Sequence, residues 1–152
     1  KPATEVNWFD ALIFSRWLGC TLPTEAQWEF ASKASSKEQW CCSEDNLSEY
    51  SWFSENSKGT TFDVATKKPN SFGIYDMHGN VWEWCLDSYE ENYYEFMPSL
   101  DPSNRSEKEN KTCRGGSING FSEMCRSAFR YGEPASLTAF DLGFRLAKNS
   151  EE

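Results

Sequence analysis

The chain reads as an α+β domain with two helices near its start, strand-like segments in its last third and long ordered loops between them. Three observations carry that reading. Two helix-start signatures stand within residues 7–27. Short apolar runs separated by glycine turns follow from Asn70 onward. Aromatic residues make up 16% of the chain, with seven tryptophans, which favours irregular, ring-filled packing over plain aliphatic sheets. A length of 152 residues suits one domain with a usable core, taken here as 1–152.

Asn7 is placed to cap the first helix, with Asp10 three residues on. Ala11, Phe14, Trp17 and Leu18 then recur at helical spacing, and Gly19 ends the run. Thr24 caps the second helix, expected at about 25–34. Gln27 completes a capping box, and Glu25 suits the positive end of the helix dipole. The aromatics of both helices are expected in the core. Residues 35–69 are polar, yet Trp40, Tyr50, Trp52 and Phe53 should pin them to the body as ordered loops, with a short strand at 61–64. Residues 88–112 read as a second insertion, aromatic at first and solvated later. Strands are expected at 112–115, 125–130 and 143–147, with Gly115 and Gly116 marking a bulge or a close backbone approach. Arg114, Arg126, Arg130 and Arg145 sit in strand-like context and are expected in internal ion pairs.

Net charge is −9, from 24 acidic and 15 basic residues, without a basic run; this argues against nucleic-acid binding. No apolar run approaches the roughly 20 residues that span a bilayer, and no secretory or other targeting segment is present in the chain. Six cysteines include no C-x-x-C pair. Cys113 and Cys125 are read as a disulfide or as two buried thiols. The single histidine, His78, excludes a His-rich zinc site and reads as a turn residue. Phosphate-loop, nucleophile-elbow and dinucleotide fingerprints are absent.

Residues 70–87 are the organising stretch: apolar residues alternate with groups that need a partner when buried. Asp76 and Glu83 flank a glycine turn. Their side chains, with the carbonyls of Gly79 and Val81, could offer four oxygens to a hard cation, which takes roughly six to eight. The alternative leaves Glu83 exposed on a strand, opposite Trp82 and Trp84.

Six blocks now stand in order: V-N-W-F-D-A (6–11), L-P-T-E-A-Q-W-E-F-A (22–31), P-N-S-F-G-I-Y-D-M-H-G-N-V-W-E-W (69–84), C-R-G-G-S (113–117), C-R-S-A-F-R (125–130) and G-F-R-L-A (143–147). Together they closely resemble the sulfatase-modifying-factor family, whose founding member is the formylglycine-generating enzyme. The resemblance implies a C-type lectin-like fold of two helices, a small twisted antiparallel sheet and long ordered loops. Here the N-terminal strands usual in the family are missing. It also implies a structural calcium held by Asp76, Gly79, Val81 and Glu83.

The family enzyme oxidises a substrate cysteine with a copper-binding cysteine pair close after its G-G-S block. Here that segment reads I-N-G-F-S-E-M-C, with Cys125 alone, so the chain is read as non-catalytic. It is more similar to the variable proteins of diversity-generating retroelements, which display a variable segment between R-G-G-S and G-F-R-L-A. That similarity implies a ligand-binding surface of Ile118, Gly120, Phe121, Phe129, Tyr131, Gly132, Leu137, Ala139, Phe140 and Asp141. Rigid rings among small residues suit protein recognition. The expected partner is a protein rather than nucleic acid or membrane, with prokaryotic, viral and cell-surface display all open. The alternatives are a formylglycine-generating-type oxidase and a calcium-dependent sugar binder.

Overall fold

Helix α1 (Trp8–Trp17) starts where Asn7 caps it, its side chain accepting the Asp10 N–H at 2.9 Å. Helix α2 (Glu25–Lys33) opens on a reciprocal capping box. The Gln27 N–H donates to Thr24 Oγ1 at 3.2 Å, and the Thr24 N–H donates to Gln27 Oε1 at 3.1 Å. The computed structural model describes residues 1–148. Among them are five α-helices, not two. The polar stretch folds into single turns α3 (Leu47–Tyr50) and α4 (Ser54–Ser57), and the aromatic start of the second insertion forms α5 (Tyr93–Phe96). Each is too short to show a helical period in sequence, so tertiary packing of Leu47 and Phe53 sets the first two.

Strands β1 (Trp82–Ser88), β2 (Asn110–Arg114), β3 (Tyr131–Pro134) and β4 (Leu142–Phe144) form one sheet in the order β3-β2-β1-β4. β2 pairs antiparallel with both β1 and β3, but β4 runs parallel to β1, so the sheet is mixed. The strand expected at 125–130 is instead a 3₁₀ turn (Ser122–Cys125) and a loop, and residues 61–64 form no strand. The backbone groups are satisfied without a ladder: the Arg126 N–H donates to the Glu123 carbonyl and the Ser127 N–H to the Gln39 carbonyl, while the Phe62 N–H donates to Asn80 Oδ1.

The central layer packs Trp8, Ala11 and Leu22 against Trp84, Leu86, Cys113 and Leu142. Trp40, Leu47, Phe53 and Cys125 form a second cluster, and Trp28, Met77 and Cys85 a third. Not every helix aromatic is a core anchor. Trp28 is buried, whereas Trp17 is 77% exposed and Phe30 70% exposed, because α1 turns Trp8, Ala11 and Ser15 inward and α2 turns Glu25, Trp28 and Ser32 inward. All six cysteines are free thiols. His78 is buried: its Nε2 accepts the Cys41 N–H at 3.1 Å, and its Nδ1 lies 2.8 Å from the Cys125 carbonyl, which fixes the proton on Nδ1. Burial drives its pKa down to about 4.

Candidate ligand pocket

Three arginines in ion pairs, one fully buried and two half-buried, set the frame. Arg114, fully buried on β2, pairs with Glu29 of α2 and lies 3.1 Å from Glu25 Oε1, a charge contact too far off-axis to be a hydrogen bond. Its Nη1 donates to the carbonyls of Ser127 at 2.7 Å and Phe129 at 2.6 Å, pinning the loop before β3. Arg130 grips Glu25 with two bonds of 2.6 and 2.9 Å. Arg126 is the departure from the expected ion pairs: it donates to the Glu123 carbonyl and to Gln39.

Arg145 overturns the expected calcium. Its Nε donates to Glu83 Oε2 at 2.5 Å and its Nη2 to Glu83 Oε1 at 2.8 Å, while the Trp28 indole N–H donates to Oε2 at 2.7 Å. Nη2 also reaches the Tyr75 and Asp76 carbonyls. Asp76 points elsewhere, accepting the Ala65 N–H at 2.7 Å, and burial raises its pKa. Val81 is buried, and Gly79 is held in a bridge with Trp52. The cationic position that the spacing of Asp76 and Glu83 suggested is thus taken by a guanidinium. Among the described residues no group of three or more His, Cys, Asp or Glu side chains could hold a metal ion. Glu83 is neither a calcium ligand nor exposed. The missing clue was Arg145, 62 residues further on and without a local pattern to link it.

On the opposite side of β1 lies a cavity of about 320 Å³. Trp82 of β1, Cys113 of β2 and Tyr131 and Glu133 of β3 form one wall; Ser117, Asn119 and Gly120 follow the Gly115–Gly116 turn; Leu137, Ala139 and Asp141 close it. That turn requires glycine. Both residues have positive φ, and a Cβ on Gly116 would sit 2.7 Å from Cys125 Sγ. The Trp82 ring stacks on Tyr131 at 5.4 Å and meets Phe129 at 6.0 Å. Asp141 Oδ2 accepts Ser117 Oγ at 2.7 Å and Asn119 Nδ2 at 3.2 Å. The Glu133 carboxylate beside Tyr131 raises the phenol's pKa.

Of the ten surface residues proposed from sequence, Gly120, Phe129, Tyr131, Leu137, Ala139 and Asp141 line this cavity. Ile118 does not belong to a surface: it is fully buried, with its carbonyl accepting the Ser57 hydroxyl. Phe121 and Phe140 are exposed outside the cavity, and Gly132 backs onto the Tyr89 ring. Sequence reasoning missed Trp82, Ser117, Asn119 and Glu133 as lining residues. The alternation of β1 placed Trp82 with Trp84 but did not say which neighbour it faces.

The mixed sheet, flanking helices and pocketed C-terminal loops define a loop-rich α+β scaffold. Residues 1–150 match the sulfatase-modifying factor enzyme 1-like domain, and the chain belongs to that family. It is 30% identical over 176 residues to the formylglycine-generating enzyme of Streptomyces coelicolor, covering 99% of this chain but 53% of that enzyme. Variable protein 1 of Treponema denticola superposes with a TM-score of 0.82 at 26% identity, over 95% of this chain and 70% of its own. PvdO of Pseudomonas aeruginosa gives 0.88 at 28% identity, over 96% of this chain and 61% of its own.

Proposed function

We propose that this domain is a ligand-binding module that recognises a protein through the cavity between Trp82, Phe129, Tyr131 and Asp141, as a variable protein of a diversity-generating retroelement would. The observation that carries the reading is the convergence of aromatic, small and polar side chains from residues 117–141 on one cavity of about 320 Å³. That segment is largely loop on a scaffold held by buried charge pairs, so its side chains can differ without refolding the core. Ile118 is excepted, since it is buried.

Similarity to formylglycine-generating enzymes supports a second reading, oxidation of a substrate cysteine, and by sequence alone that kinship is the stronger argument. The thiols weigh against it. Cys113 is the one thiol lining the cavity, and burial raises its pKa well above the usual range. Cys125 lies behind Gly116, its pKa pushed up to about 12 by burial. Position 120, in the segment where the enzyme carries its cysteine pair, is glycine.

The test is selection of peptide binders on the immobilised domain, followed by affinities for wild type and Phe129→Ala. Truncating a central ring should weaken binding by roughly thirty-fold, the effect of about 2 kcal/mol. Equal affinity for both proteins rejects the binding reading. Conversion of a peptide cysteine to an aldehyde, with copper and air present, replaces it with the oxidase reading.

A further inference from the structure

Resting on that binding reading, we propose that the cavity selects a cationic side chain of its protein ligand, a guanidinium or an alkylammonium. Among the described residues two carboxylates, Asp141 and Glu133, line it, and no lysine or arginine does. Asp141 is oriented but not neutralised. Ser117 and Asn119 both donate to its Oδ2, and among the described residues no donor reaches its Oδ1. Glu25, Glu29 and Glu83 each have an arginine partner, whereas among the described residues Asp141 and Glu133 have none.

The three arginines of the frame do not supply the missing charge. Arg114, Arg130 and Arg145 are held by Glu25, Glu29 and Glu83 elsewhere. The remaining wall is aromatic: Trp82, stacked on Tyr131 and near Phe129, borders the same space. Ring faces attract cations, and a carboxylate opposite them adds a charge-assisted hydrogen bond. A carboxylate without a cationic partner, lining the same cavity as an indole, therefore makes a two-sided seat for a cation. About 320 Å³ is small for a ligand site and holds one long side chain rather than a folded epitope. Such a side chain would act as the anchor of a larger interface.

The experiment uses two short peptides, identical except for a central arginine or its neutral isostere citrulline, and a third with lysine. Binding is read from the Trp82 indole resonance in a two-dimensional NMR titration. The arginine and lysine peptides should shift it, with citrulline weaker by about ten-fold or more. Asp141→Asn should bring arginine down to the citrulline level. Should that variant fail to fold, Glu133→Gln on β3 should show the same loss in part. Equal shifts by arginine and citrulline overturn the charge preference and leave the binding reading standing. A Trp82 resonance moved by a display-selected binder but by none of the three peptides also overturns the preference alone. A resonance moved by neither these peptides nor any selected binder overturns both.

Discussion

Replacing Glu83 by glutamine tests whether Arg145 occupies the place of a metal. The substitution keeps the shape of the side chain and an acceptor for the Trp28 indole but removes the counter-charge of Arg145. The Glu83 side chain is 8% exposed and that of Arg145 24%. Breaking a fully buried pair costs about 3–5 kcal/mol because one charge is left without compensation. Partial exposure of Arg145 lets water screen some of that, leaving about 2–4 kcal/mol. In a domain of this size each kcal/mol moves the melting temperature by roughly 2–4 °C, so a fall of about 5–15 °C is expected. The double variant Glu83→Gln with Arg145→Met should be more stable than Glu83→Gln alone, since no buried charge remains. The assay is calorimetric melting with calcium and with a chelator. Wild type should melt at the same temperature in both. Calcium-dependent stabilisation of wild type that Glu83→Gln abolishes would refute the reasoning, because a ligand bound to the native state must raise its melting temperature.

Other expectations follow from the same structure. His78 holds off its proton until about pH 4, whereas an unfolded chain takes it up near 6.5. The unfolded state binds more protons in that window, so stability should fall by up to about 3 kcal/mol as pH drops from 6.5 to 4. His78→Asn should flatten that slope in urea titrations, and an unchanged slope would exclude His78 as its source. Glu25→Ala leaves Arg114 and Arg130 without their shared partner and should cost about 3–5 kcal/mol by denaturant midpoint; a loss under about 1 kcal/mol would contradict the buried-charge frame. Gly79→Ala would place a Cβ 2.1 Å from the Trp52 carbonyl at a φ of +80°, and should leave little folded protein by circular dichroism. Gly132→Ala should drive back the Tyr89 ring and lower the melting temperature, which would restrict variation at that position.

The parts of the fold legible in sequence are those written locally. Asn7 and the Thr24–Gln27 box name the two long helices, and the Gly115–Gly116 turn names the bend into the pocket. The single-turn helices were not legible, since Leu47 and Phe53 acquire meaning only against Trp40 and Cys125. Residues 125–130 carry a strand-like composition, yet Arg114 draws the Ser127 and Phe129 carbonyls onto its guanidinium, and pairing begins only at Tyr131. The site divides in the same way. Phe129, Tyr131, Leu137, Ala139 and Asp141 were readable as a segment, but Ile118 was not separable from them, because burial beneath Ser57 is a tertiary fact. The calcium reading failed where local spacing was asked to decide between two cations, a metal and the distant Arg145.

The most direct test of the central claim is a crystal structure of the domain with a display-selected protein ligand. The account predicts ligand density entering the cavity beside Trp82, Phe129 and Tyr131, with a side chain against Asp141. A ligand seated on the exposed apolar face of α1, over Ile13 and Trp17, with that cavity left open, would contradict it.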